Sequence, residues 1–174
     1  MRTRHLIAFG LAALSLAAAG CSEEESDDST VDLREQTSES AAPAAPAEPA
    51  EPRPKPKVTV PDGPPPKQLQ IKDIEPGTGA AAKAGSQISV NYVGVSYSNG
   101  QEFDSSFSAG APIDIQLIDG GVIPGWVQGL EGMKVGGRRQ LIIPPDLAYG
   151  PAGSPPVIGP NETLVFVVDL LNVQ

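Results

Sequence analysis

Beyond position 21 the chain contains neither histidine nor cysteine: its single His is His5 and its single Cys is Cys21. A folded region lacking both cannot assemble a Ser-His-Asp triad, a Cys-His pair or a zinc site of the usual ligands. No metal and no cofactor are expected. Basic residues are also few, 12 Lys and Arg against 21 Asp and Glu, leaving a formal charge of −9. A nucleic-acid groove needs cations to neutralise phosphates and release counterions, so no nucleic-acid partner is expected. The acidity itself favours solubility rather than naming a partner. With 174 residues there is room for one ordinary domain plus extensions.

Proline and glycine are abundant, 19 of each, and the prolines are not spread evenly: ten fall in residues 43–66. Ahead of them the chain opens with Arg2, Arg4 and His5, then a mostly apolar run from Leu6 to Ala19, then Gly20-Cys21-Ser22. That order of charged, greasy and small residues is an export signal, and the run is too short to span a bilayer comfortably. A short uncleaved anchor is the alternative. Residues 1–20 are therefore read as a signal peptide. The stretch Ala18-Ala19-Gly20-Cys21 resembles the lipobox of bacterial lipoproteins, in which the thiol is lipidated and the chain is cut just before it. Ala18 departs from the larger aliphatic residue more usual there. The resemblance implies an exported protein, lipid-anchored through Cys21 at the cell membrane and facing the cell wall or periplasm.

Residues 21–66 begin with a run of Asp and Glu and continue as Ala, Pro and Glu up to Pro64-Pro65-Pro66. Such a composition buries too little apolar surface to offset its ordering entropy, so it reads as a disordered, solvated stalk. Fully stretched it would reach roughly 150 Å.

Residues 67–174 hold every aromatic except Phe9 and carry strand-like alternation. Ile88–Tyr92 and Ile113–Leu117 alternate; Arg139–Ile143 and Leu164–Val168 are more continuously apolar. Turn signals lie at Glu75–Gly79, Ser98–Gly100, Asp119–Gly121 and Pro144–Asp146. One short helix is predicted from Pro124, with Trp126 and Leu130 four apart on one face and Gly132 as the stop. The fold class is α+β: an antiparallel sheet wrapped around one short helix.

Six blocks then occur in order: Tyr92-Val-Gly94, Gly100-Gln-Glu-Phe103-Asp104-Ser-Ser, Val122-Ile123-Pro-Gly125-Trp126, Gly129-Leu-Glu-Gly-Met-Lys-Val-Gly136, Ile143-Pro-Pro-Asp-Leu-Ala-Tyr149-Gly150 and Thr163-Leu-Val-Phe166. Together they resemble the FKBP-type peptidyl-prolyl cis-trans isomerases, from about Leu69 to Leu171. The resemblance implies a half-open apolar pocket between sheet and helix, floored by Trp126. Tyr92, Phe103, Val122, Ile158 and Phe166 match substrate-binding positions, and Asp104, Tyr149, Trp126 and Ile123 match catalytic ones. The Tyr149 hydroxyl and the Ile123 backbone N–H are implied to bind ligand carbonyls, and the Asp104 carboxylate to accept hydrogen bonds at the pocket edge. Asp104 could equally cap its own turn, and the two roles can coexist.

The pattern departs from the family at Ile113, Gly121, Ala109, Ser154 and Leu147, which places the rim contacts rather than the floor at issue. The implied partners are proline-containing polypeptides, a membrane through the lipid anchor, and macrolides as candidate ligands of a monomer. The implied activity is isomerisation of peptidyl-prolyl bonds in exported proteins. A module that binds proline segments without turning them over is the alternative.

Overall fold

The computed structural model describes residues 50–174; the leader, Cys21 and the preceding part of the stalk lie outside the described residues. Six strands form one antiparallel sheet: β1 (Gln70–Glu75), β2 (Gln87–Ser96), β3 (Glu102–Ser105), β4 (Ile113–Gln116), β5 (Arg138–Ile143) and β6 (Leu164–Val173). The order across the sheet is β1-β5-β6-β2-β3, and the free edge of β2 is shared. Its first half, Gln87–Val90, pairs with β4, and Val93–Val95 pairs with β3. A one-turn helix α1 (Ser106–Ala109) follows β3, and α2 (Pro124–Leu130) is the helix expected from the sequence. Short 3-10 turns occupy Pro145–Leu147 and Gly150–Ala152.

The side-chain period of two divides the sheet into two faces. Ile88, Val90, Tyr92, Leu141, Ile143, Leu164, Phe166 and Val168 point to the face that receives α2, forming the main core with Trp126 and Leu130. The interleaved Val93, Val95, Ile142 and Val165 form a second cluster on the opposite face. Helix α2 approaches closely because it presents glycines four apart. A Cβ on Gly125 would fall 2.3 Å from Ile143 Cγ2, and one on Gly129 2.8 Å from Leu141 Cδ1. Arg139 secures the far end of the helix, its Nη1 donating to Gly129 O at 2.9 Å and Glu131 O at 3.2 Å, carbonyls left without helical partners. Pro124 occupies the first turn, where its missing N–H is harmless. Gly125→Val is expected to lower stability by ~2 kcal/mol or more through overpacking, and to lower isomerase activity with it by lifting the indole. Denaturant unfolding and peptide relaxation check this together; an unchanged unfolding midpoint would contradict the close approach.

The boundary expected at residue 67 needs correction, because residues 50–66 are part of the domain. They run as an extended strap over the second apolar face, with Val58 and Val60 packed against the cluster of Val93, Val95, Ile142 and Val165. Ala50 N donates to Leu171 O at 2.8 Å, Arg138 Nη2 to Pro54 O at 3.1 Å and Gln140 Nε2 to Thr59 O at 3.0 Å. Lys55 pairs with Glu102 at 2.7 Å, and Arg53 pairs with Glu75. Seven prolines in these residues deprive the backbone of donors, so the strap cannot join the ladder as a regular strand. Side chains and a few carbonyls hold it instead. Composition suggested solvation; the alternating Val58-Thr59-Val60 was the sign of burial that the proline count concealed.

Candidate active site

Between the sheet and α2 the structure leaves an open cavity of about 200 Å³. It is lined by Tyr92, Phe103, Asp104, Ile113, Ile115, Gly121, Val122, Ile123, Trp126, Tyr149 and Phe166. Those on strands and on α2 are aimed there by the period of their element, while Gly121, Val122, Ile123 and Tyr149 come from connecting segments. Tyr92 and Phe166 sit on the inner face of β2 and β6, Ile113 and Ile115 alternate along β4, and Trp126 rises from α2. The aromatic rings meet edge to face, Tyr92 with Trp126 at 5.2 Å, Trp126 with Phe166 at 5.3 Å and Phe103 with Phe166 at 5.5 Å. These are favourable geometries for rings whose edges are positive and faces negative. Gly94 makes the wall possible, since a Cβ there would lie 2.7 Å from both Phe103 Cζ and Phe166 Cε1.

The polar groups are few and fixed. Tyr92 donates its hydroxyl to Asp104 Oδ2 at 2.6 Å, and Asp104 Oδ1 accepts from Ser105 N at 2.8 Å. The Asp104 carboxylate thus accepts from the following backbone amide and, at the cavity wall, from the Tyr92 hydroxyl. Burial, then the hydrogen bond to Asp104 and its charge, hold the Tyr92 phenol above its ordinary range. It stays protonated at neutral pH and goes on donating. Tyr149 is half-exposed at the mouth, and the Ile123 N–H has no acceptor among the described residues. The indole nitrogen of Trp126 is buried and lacks a partner as well.

Eight of the nine residues expected in this pocket line it. Ile158 does not. Its N–H and carbonyl pair with Ser154 at 2.9 Å each, a closure that turns Val157 outward and sends Ile158 into the core at 5% exposure. Ile113 and Gly121, recognised only as departures from the family pattern, line the cavity, and Ile115 was not anticipated at all. The alternation Ile113-Asp-Ile115 carried the signal for Ile115, because a residue two positions from a wall residue on a strand faces the same way.

A family model for FKBP-type peptidyl-prolyl cis-trans isomerases matches residues 79–171. The chain belongs to this family. This FKBP is 56% identical over 120 residues to the FK506-binding protein of Streptomyces anulatus, covering 68% of this chain and 97% of that one. It is 50% identical over 119 residues to a probable FK506-binding protein of Corynebacterium glutamicum, covering 68% and 98%. Among solved structures, AtFKBP13 superposes with a TM-score of 0.58 at 36% identity, covering 63% of this chain and 96% of that one. FkpA from Escherichia coli gives a TM-score of 0.56 at 49% identity, covering 61% and 48%. The Streptomyces alignment is longer than the 108 residues that follow Pro66, so it takes in part of the strap. The enzyme is a peptidyl-prolyl cis-trans isomerase.

Proposed function

We propose that this FKBP accelerates the folding of exported polypeptides by isomerising their X-Pro bonds at the outer side of the cytoplasmic membrane, anchored as a lipid-modified monomer through Cys21. The observation that carries the reaction is the apolar, aromatic cavity floored by Trp126 and open at one side. Amide resonance sets a barrier of about 18–20 kcal/mol to rotation of a peptide bond, and crossing it makes and breaks no covalent bond. The twisted amide has lost resonance, so its carbonyl is less dipolar and loses less on leaving water. An apolar cavity thus favours the twisted form over either planar isomer. A thousandfold acceleration needs only about 4 kcal/mol of that preference.

Each residue then has a limited task. Trp126, Tyr92, Phe103, Val122 and Phe166 hold the prolyl ring, while the Tyr149 hydroxyl and Ile123 N–H take substrate carbonyls. Asp104 holds the Tyr92 hydroxyl and stores no proton. Ile118, Tyr149 and Val157 are exposed apolar residues able to cover side chains flanking the proline. The similarity to the FK506-binding protein of Streptomyces anulatus supports a macrolide as a competing ligand for the same cavity.

The export reading rests on the leader and the lipobox-like Ala18-Ala19-Gly20-Cys21. Among the described residues no helix is long and apolar enough to cross a membrane. With the strap docked, residues 22–49 set the reach, and 28 residues extend to at most about 95 Å.

The test of catalysis is the cis-to-trans relaxation of a short Xaa-Pro peptide with the full chain. Relaxation above the buffer rate is expected, and Tyr149→Phe should slow it about fivefold, the worth of one hydrogen bond near 1 kcal/mol. A folded chain that leaves the relaxation at its buffer rate would remove the catalytic reading. Labelling by a radioactive fatty acid in the producing cell, lost in Cys21→Ser, tests the anchor.

A further inference from the structure

Cations gather along the strap and at the start of the sheet. Residues 50–72 carry Arg53, Lys55, Lys57, Lys67 and Lys72 against two acids, Glu51 and Asp62, in a chain of formal charge −9. Arg53 is paired with Glu75 and Lys55 with Glu102. Lys57 and Lys72 are exposed and enter none of the ion pairs among the described residues. Both line one open groove of about 360 Å³ between the strap and β1, whose apolar part is Pro61, Ile74 and Val167. The strap alternates here, Val58 and Val60 covering the sheet while Lys57, Thr59 and Pro61 line the groove. Nearby carboxylates do not neutralise the two lysines, since Asp73 is held by Arg139 and Glu75 by Arg53, and Asp62 lines neither this groove nor the next.

The next groove, about 400 Å³, shares Pro61 and Lys72 and adds Gln70 and Ile71. Gln70, Ile71 and Lys72 are consecutive on a strand and alternate between its faces, so a groove touching all three opens along the edge of the sheet. That edge is unpaired. Strand β1 is hydrogen-bonded to β5 alone, and its outer row of N–H and C=O groups finds no backbone partner among the described residues. Ile71 and Ile74 lie on it 48% and 46% exposed. A lysine such as Lys72 guards an edge against apolar or basic strands, and the same charge admits an acidic one.

We propose that the groove between the strap and β1 is a docking site for an extended acidic segment of a partner polypeptide, which adds as a strand to the free edge of β1 with its carboxylates toward Lys57 and Lys72. Main-chain hydrogen bonds to β1 supply the affinity, Pro61, Ile74 and Val167 receive alternate apolar side chains, and the two lysines select the charge. A second copy of the chain fits less well. Two-fold antiparallel pairing of β1 with itself keeps each face together, so a register centred on the strand sets Lys72 against Lys72 or Asp73 against Asp73. A lipid surface would meet the lysines but leave the backbone edge unpaired. The docking site shares no residue with the isomerase cavity and stands or falls separately from it.

The experiment uses the full chain and three capped peptides without proline, in which Val alternates with Asp, Asn or Lys. At low ionic strength the Asp peptide should bind about fivefold more tightly than the Asn peptide, the worth of opposite-charge contacts across paired strands, and the Lys peptide should bind least. At about 1 M salt, where the screening length is about 3 Å, the Asp and Asn peptides should converge. Hydrogen exchange should slow at alternate amides of β1 when the Asp peptide is bound. The double variant Lys57→Gln, Lys72→Gln should abolish the preference for Asp while the unfolding midpoint and the relaxation of a proline peptide stay at wild type. Equal binding of the Asp and Asn peptides at low salt, or binding of neither, overturns the proposal. So does binding that leaves exchange along β1 unchanged, which would place the peptide elsewhere. Retention on phosphatidylglycerol vesicles, or self-association with rising chain concentration, seen in place of the peptide preference and lost in the double variant, would assign the groove to a lipid surface or to a second copy and overturn the peptide reading.

Discussion

Trp126→Ala is expected to lower kcat/KM for a proline peptide about a hundredfold, equivalent to ~2.7 kcal/mol of transition-state stabilisation, and to cost the fold about 3–5 kcal/mol. The indole is 5% exposed and sits edge to face with Tyr92 and Phe166, so its removal opens the floor of the cavity and unties two walls at once. Because the alanine variant loses stability as well, Trp126→Phe separates the two effects. Phenylalanine gives up roughly 50 Å² of apolar contact, worth about 1.2 kcal/mol, and also removes a buried N–H that has no acceptor, a group whose burial costs about 1–3 kcal/mol. The terms are of similar size and opposite sign. Trp126→Phe should therefore unfold at nearly the wild-type denaturant concentration while catalysing several-fold more slowly, since its floor is narrower. Wild-type kcat/KM in folded Trp126→Ala would show that the cavity floor contributes nothing to the reaction.

Asp169→Ala is the second large effect, expected to destabilise the domain by about 3–5 kcal/mol because a buried pair loses one member and leaves the other charged. Asp169 is 1% exposed and receives Arg138 as a fork, Nε to Oδ1 and Nη2 to Oδ2, both at 2.6 Å. Arg53 of the strap stands 3.9 Å from the same carboxylate and donates to Gly136 O at 2.6 Å. The hydrogen bond to Asp169 comes first among the influences that hold the Arg138 guanidinium above its already high range. Losing the carboxylate thus places two guanidinium groups together with nothing between them, and the strap should loosen at its beginning. Hydrogen exchange at the Ala50 amide, now bonded to Leu171 O, should accelerate along with the fall in denaturant midpoint. The double variant Arg138→Met, Asp169→Leu should recover most of the stability, because apolar replacement of a whole buried pair is often neutral or better. A loss below about 1 kcal/mol in Asp169→Ala would mean that water already reaches this pair. Neither residue lines the cavity, so kcat/KM of the folded fraction should stay near wild type.

Much of this molecule is legible in its order of residues. Strands β2, β4, β5 and β6 follow from their apolar periodicity, and α2 follows from Pro124, the spacing of Trp126 and Leu130, and Gly132, which takes a φ of 73° just past the helix end. Strand β1 left no such mark. All six of its residues are exposed, it touches the sheet only through β5, and Ile71 and Ile74 are three apart, a spacing that belongs to no strand face. Helix α1 is a single turn whose cap, Ser105 Oγ accepting from Phe107 N, lies within a run of small polar residues that reads equally well as a loop.

The sequence alone determined which residues can supply the chemistry. With His and Cys confined to the first 21 positions, neither imidazole nor thiol remained for the folded region, and apolar walls, hydroxyls, carboxylates and backbone suffice for a reaction that rotates a bond without transferring an atom. Periodicity then decided the inward face of each strand, because side-chain direction is a local property of the backbone. Tertiary structure alone decided what depends on contacts between distant segments. The pairing of Ser154 with Ile158 turned one expected wall residue into core, β4 placed Ile115 in the cavity lining with Trp126, and a proline-rich segment became a strap because Val93, Val95, Ile142 and Val165 offered Val58 and Val60 an apolar face to cover. Local composition reports how readily a segment orders by itself; whether it is covered depends on a partner surface that exists only after folding.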